Sequence, residues 1–271
     1  MAKVSNEDRH KYYEKIKPYR ALIQPMLKHE ELTLKLLKSD ENDSAKKRLA
    51  LAEEMIYLAA NYIIVSGISQ SMLKLRNEEA LNDGRKSLYK AVIYLEEVVS
   101  AHLDAPFSEY EEKLAEISSV SAQKRYDIVK KLGLTLQLLQ NAYGNNTKWR
   151  WAFVELEGRF ATVAKNLMNL KTAVLNTDPS SPDYEPTVYH LRMLKKLLHQ
   201  AADRYREKYE LSTNRIDDFK MGIHFLNSLR RIHALLGERT DAETIKKKSD
   251  IWSSKLEVDM RKQEEAALKR T

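Results

Sequence analysis

The chain contains no cysteine, which excludes disulfides and every thiolate metal site, four-cysteine structural zinc included. Glycine is scarce, at seven residues in 271, and proline scarcer, at six. An all-β architecture needs a turn about every 8–12 residues, and this supply of turn formers does not provide them. The two nearest glycines, Gly133 and Gly144, stand 11 residues apart. Phosphate-cradling loops cluster their glycines so that backbone amides converge on the anion, so no Walker or dinucleotide-binding fingerprint is present. Long apolar runs are missing too. The most apolar stretch, Met55 to Val65, is interrupted by Asn61 and is too short to cross a bilayer. Met1 to Lys17 hold no apolar leader segment. Membrane insertion is therefore not expected, and the expected location is cytoplasmic.

What the chain does have is apolar residues at helical spacing. Hydrophobic residues make up 43% and charged residues 31% of it, and no long window alternates as a strand would. The clearest case is Asn145 to Asn176, where Trp149, Phe153, Leu156, Phe160, Val163, Leu167, Leu170 and Val174 follow alternating steps of four and three. Such a seam predicts one helix of about 30 residues, roughly 45 Å long, stopped at Asp178-Pro179. Residues 45–76 carry two stripes, one from Leu51 to Leu75 and one through Leu49, Ile56, Ala59 and Ile63. Two stripes require neighbours on more than one side, which makes this helix central. Gly67, with Ser66, Ser69 and Ser71, leaves room there for a close neighbour.

The other segments read in the same way. Residues 5–38 form one or two helices, bent or broken at Pro18 and Pro25. Ser39 to Ser44 is a polar connector with several candidate caps. Asn82-Asp83-Gly84 reads as a turn before a helix up to Leu103, and Ser108 with Glu111 as a capping box. A helix runs from Ala122 to Tyr143 and is closed by Gly144. Thr177 to Pro186, with Pro179, Pro182 and Pro186, is the extended loop. Helices follow through Leu191 to Tyr205, from Thr213 to Leu236, and from Asp241 onward through Ile245, Ile251, Trp252 and Leu256. No repeat recurs at a spacing of 34. The expected fold is all-α, an elongated bundle of long antiparallel helices, either continuous or as two packed subdomains, 1–117 and 118–271. The joint is expected at the serine run Ser118 to Ser121, where the charge balance changes: residues 118–176 carry nine basic and three acidic side chains, whereas 1–117 carry 18 and 20.

Catalytic constellations are not evident. A di-metal site in a bundle draws a Glu-x-x-His pair from each of two helices, and the chain does not supply two. His190 and His199, like His224 and His233, are nine residues apart, half a turn out of phase, so neither pair shares an ion within its own helix. His199, Asp203 and Glu207 share a face, but Arg204, Arg206 and Lys208 beside them mark a solvated ion-pair surface. No cofactor or metal is expected, and no enzyme activity.

Binding has more support. Lys148-Trp149-Arg150-Trp151 interleaves cations with large aromatics, the composition that clamps phosphates and stacks bases. Trp149 belongs to the apolar seam, whereas Trp151 is offset from it by about 200° and is available to a partner. Lys148, Arg150, Trp151 and Trp252 are the candidate contacts. Lys195, Lys196, Arg230 and Arg231 form a candidate basic patch. The expected function is a helical scaffold or adaptor that binds a protein partner or copies of itself. The alternative is nucleic-acid or polyanion binding through the basic region 118–236.

Overall fold

The computed structural model describes residues 5–39 and 42–268, and of Ala266 and Ala267 the backbone alone. The described residues are all-α and contain no strand. The helices are α1 (Asn6–Ser39), α2 (Ser44–Leu73), α3 (Glu78–Val98), α4 (Phe107–Glu116), α5 (Ala122–Tyr143), α6 (Arg150–Asn166), α7 (Leu170–Leu175), α8 (Tyr184–Lys208), α9 (Ile216–Leu235) and α10 (Arg239–Leu268). A π-helical turn, Tyr209–Thr213, extends α8. The chain forms two compact units. Unit 1 comprises Met1–Ser100 and Glu112–Arg150, and unit 2 comprises Ala101–Glu111 and Trp151–Thr271. The serine run Ser118 to Ser121 lies inside unit 1.

In unit 1, α1 is a single helix through both prolines. Pro18 and Pro25 stand on its exposed side, as do Glu14 and Ala21, whose carbonyls lose their usual donors to the prolines and face water. What holds α1 is a strict four–three seam: Tyr12, Ile16, Tyr19, Ile23, Met26, Glu30, Thr33 and Leu37. One member is charged. Glu30 is 4% exposed and accepts from the Tyr94 hydroxyl at 2.5 Å and the Lys90 ammonium at 2.7 Å. Tyr12 and Ile16 pack with Val65, while His29 bonds Glu54, so α1 runs antiparallel to α2.

Helix α3 corrects the expected turn at Asn82-Asp83-Gly84, because these residues lie within it. Asn77 caps the helix instead, its side chain accepting from the Ala80 amide at 3.0 Å. Gly84 is buried against α2, and a Cβ there would meet Tyr62 Cβ at 3.4 Å and the Ala59 carbonyl at 3.5 Å. The glycine lets two helix backbones approach. Gly67, expected in that role, has open space around it. Other boundaries also shift. Helix α3 ends at Val98, not Leu103, and Ser108 lies inside α4, so the expected capping box is not formed. In the connector before α2, Asp40 and Glu41 lie outside the described residues, and the Asp43 side chain makes no cap bond. Helix α5 keeps its expected bounds, with Ser121 capping the Lys124 amide at 3.2 Å and Gly144 closing it at φ 74°.

The 30-residue helix expected over 145–176 is two helices in the structure. The seam itself is buried from Phe153 to Leu167, with all eight residues from Ala161 to Met168 inside. The helix nevertheless ends at Asn166. The Met168 amide bonds back three residues to Lys165 at 3.1 Å, and Asn169 accepts from the amides of Lys171 and Thr172 at 3.1 and 3.3 Å. An asparagine that can cap a new helix competes with continuation of the old one, and here capping wins. In unit 2, α6 packs against α8 and α9, and α10 packs on the α8–α9 pair. Tyr209 stacks on Phe219 (centroids 4.9 Å apart), Tyr205 stacks on Phe225 (5.6 Å), and Trp252 leans on Phe219 (5.8 Å). Gly158 makes this possible, since a Cβ there would lie 2.6 Å from the Tyr205 ring.

Candidate interaction surface

The aromatic–basic segment is occupied from within. The Arg85 guanidinium lies 3.9 Å from the centroid of the Trp149 ring, and the Lys148 ammonium 5.2 Å from it. Arg85 is itself oriented by Asn82, at 2.9 Å. Trp149 therefore spends its π-face on an intramolecular cation. Lys148 is exposed, whereas Arg150 and Trp151 are half-buried. Lys148 and Arg150 belong to unit 1, and Trp151 and Trp252 to unit 2. Trp252, expected as a contact, is a core residue at 3% exposure, flanked by Arg206 and Lys248 at 5.0 Å each. Its hydrophobic area is spent inside the unit.

The expected basic patch is also partly neutralised. Lys195 bonds both carboxylate oxygens of Glu238, at 2.8 and 3.0 Å, and Arg231 bonds Asp104. Lys196 and Arg230 are exposed. Lys195 and Arg231 thus answer to different carboxylates, Glu238 and Asp104. The Lys248 ammonium bridges His199 and Asp203 at 2.9 and 2.7 Å on the solvated face.

Two clusters that hold titratable groups were not read from sequence. The imidazole of His233 and the carboxylates of Glu238 and Asp241 have ligand atoms within 4.8 Å of one another. Burial raises the Glu238 pKa, and the bonds from Lys195 and His233 outweigh it and bring it below the usual carboxylate range. With Lys195 on both Glu238 oxygens, the cluster is an ion-pair network joining α8 to the α9–α10 turn. One Glu-x-x-His spacing does exist in the chain, Glu7 and His10, on exposed residues of α1, where Glu7 pairs with Lys11 at 2.6 Å.

The second cluster surrounds Lys165, 5% exposed. Its ammonium donates to the Leu103 carbonyl at 2.9 Å and to Asn166 Oδ1 at 3.0 Å, and lies 5.2 Å from the Tyr110 ring centroid. Asn166 in turn donates to the His102 carbonyl at 3.2 Å. Burial pushes the Lys165 pKa down to about 8, Arg231 acts in the same direction, and Asp104 opposes. Burial also lifts the Tyr110 pKa to about 12. A depressed lysine pKa is a mark of nucleophiles, but this ammonium is held by two oxygen acceptors. Its chemical work is to anchor segment 101–104 on α6.

The remaining feature is a face of unit 1. Along α2, Ala50, Glu53, Tyr57, Ala60, Ile64, Gly67 and Ser71 follow steps of three and four on the side left outside, with Tyr57 54% and Ile64 42% exposed. Three side-chain contacts show what borders this stripe. Glu54 meets His29 of α1 at 2.7 Å, and Glu53 meets Lys131 of α5 at 3.3 Å and Lys124 at 2.6 Å. On α1, Leu22 and Leu36 stand seven residues either side of His29 and so share its direction. On α5, Leu138 stands seven residues after Lys131, with Leu134 a turn before it. All four leucines are about half exposed. An apolar face thus spans α1, α2 and α5, while Gly84 of α3 packs against the buried side of α2. By length and composition α2 also meets the measure of a membrane-crossing helix, against the sequence expectation, although more than half of its most apolar window is buried, as befits the central helix of a bundle.

No curated protein and no solved structure matches the chain. A family model does match it, over residues 8–260, and the chain belongs to the TP0443 family.

Proposed function

We propose that this protein is a non-catalytic interaction module that receives another polypeptide on the apolar face of unit 1. The observation that carries this is the concentration of half-exposed large side chains on α1, α2 and α5. Single exposed apolar residues are ordinary on any protein, whereas a contiguous patch marks a contact surface. Leu22, Leu36, Tyr57, Ile64, Leu134 and Leu138, each about half exposed, stand on three neighbouring helices of this unit. The polyanion alternative has less support, because Trp149 and two of the four patch cations are already engaged within the chain.

The test is a charge-insertion variant, Tyr57→Glu with Leu138→Lys. Both sites are exposed, so folding should change by no more than about 0.5 kcal/mol per site. After cross-linking in its own cells, the wild-type chain should yield a near-stoichiometric protein partner that the variant loses while keeping its circular dichroism spectrum. An unchanged set of partners would remove the proposal.

A further inference from the structure

The cations around Trp149 take no part in the apolar face, and no carboxylate answers their charge. We infer that Arg85 and Lys148 of unit 1 bind a single phosphate group, as inorganic phosphate or as a small phosphate monoester. One phosphate is a different demand from the polyanion alternative, which needs a run of cations along a chain of phosphates.

Arg85 is the fixed half of the site. Its guanidinium lies 3.9 Å from the Trp149 ring centroid and 5.7 Å from that of Tyr89, and donates to the Asn82 side chain at 2.9 Å. Burial raises the Tyr143 pKa, and the charge and hydrogen bonding of Arg85 act against it, which puts the guanidinium beside that hydroxyl. Its Nε is buried and meets no acceptor. Rings and neutral oxygens thus surround a full positive charge, and among the described residues no carboxylate reaches it. Stacking and the Asn82 bond hold the planar fork in one orientation. Bidentate recognition of phosphate by arginine gains from that.

Lys148 supplies the second charge. Its ammonium lies 5.2 Å from the same Trp149 centroid, so the two cations are no farther apart than their two ring distances laid end to end. Like charges held at that range repel, and an anion placed between them reverses the cost. A phosphate has acceptor oxygens on several sides and spans such a gap.

The acids of the neighbouring elements are engaged elsewhere. On α3, Glu78 pairs with Arg76 and Asp83 with Lys86 at 3.2 Å. Burial, Asp83 and Glu79 together raise the pKa of Tyr62, which sets both carboxylates toward α2. Neither α5 beyond Asp127 nor the connector 144–149 contains an acid. On α1, whose Tyr12 meets Asn77, Glu7 pairs with Lys11, Glu14 with Lys17, and Asp8 with Ser5. Arg85 and Lys148 are left as two positive charges. They match a phosphate, at about −1.5 to −2 near neutral pH, better than a carboxylate.

The experiment titrates the isotope-labelled, full-length chain with inorganic phosphate, at constant ionic strength held by chloride, and follows tryptophan indole signals by NMR. The Trp149 signal, assigned by its loss in Trp149→Phe, should shift saturably with a midpoint on the order of 1 mM. Lys148→Gln alters an exposed residue and keeps the fold; its midpoint should rise roughly ten-fold. Arg85→Gln should abolish saturation, and if that variant fails to fold, Lys148→Gln decides alone. Acetate should bind several-fold more weakly than phosphate. Glycerol phosphate separates the two sources: a lower midpoint than inorganic phosphate assigns a monoester, and an equal or higher one assigns the free ion. No saturable shift, an equal response to acetate, or an unchanged midpoint in Lys148→Gln would overturn the site. None of these outcomes bears on the apolar face.

Discussion

The ammonium of Lys165 lies 2.9 Å from the carbonyl oxygen of Leu103, and both residues are buried. A cation held in this way has lost its water and gained two acceptors, and burial dominates, lowering its pKa from 10.5 to about 8. Between those two values the unfolded chain binds a proton that the folded chain does not, so stability rises with pH across that window. The full gain is about 3 kcal/mol. Denaturant titrations of wild type and Lys165→Met at pH 8, 9 and 10 should show the rise in the wild type and a flatter profile in the variant. Equal slopes would mean that Lys165 keeps its ordinary affinity for protons.

Glycines on helices divide by what a methyl group would touch. Gly158→Ala brings its Cβ to 2.6 Å from the Tyr205 ring and 3.2 Å from Phe225, and should destabilise the protein by about 1–3 kcal/mol. Gly67→Ala meets nothing and should stabilise by about 0.5–1 kcal/mol through helix propensity. Thermal melts of the two variants should therefore move in opposite directions. Two shifts of the same sign would refute the division.

Glu30 and Tyr94 form the second buried polar pair, 2.5 Å apart. Burial raises the Tyr94 pKa, and the hydrogen bond and charge of Glu30 raise it further. A folded pKa above the unfolded one adds stability that is present at and below the ordinary tyrosine range and is lost as pH climbs through the folded value. Ultraviolet titration should find Tyr94 ionising well above an ordinary tyrosine, and at lower pH in Glu30→Gln. Glu30→Ala, which strands the hydroxyl, should cost about 1–3 kcal/mol. A Tyr94 titration indifferent to residue 30 would break the coupling.

The polyanion alternative makes its own demand. Phosphate contacts release counterions, so binding through Lys196 and Arg230 would be strongest at low salt. With Lys195 and Arg231 held by carboxylates, the expected result is little retention of DNA or RNA at about 50 mM salt. No further loss should follow from Lys196→Glu with Arg230→Glu. Tight, steeply salt-dependent retention would restore the basic region as the functional surface.

The sequence by itself determined the helical class and the apolar edges of the helices, because a 3.6-residue period is a local property of the chain. Phe153, Phe160 and Leu167 are buried as their spacing predicts, and the bounds of α5 agree with Ser121 and Gly144. Choices between two satisfactory local outcomes were less legible. Asn169 either continues a helix or caps a new one, and Gly84 either turns the chain or admits a neighbour. Burial of α6 and the approach of α2 settle those cases. The exposed face was decided by tertiary structure alone. Periodicity states that α1, α2 and α5 each have an apolar side without stating how each is rotated. That rotation is set by buried contacts between residues far apart in the chain, such as Tyr12 and Ile16 with Val65, and Gly84 with Ala59 and Leu139, which no local pattern encodes.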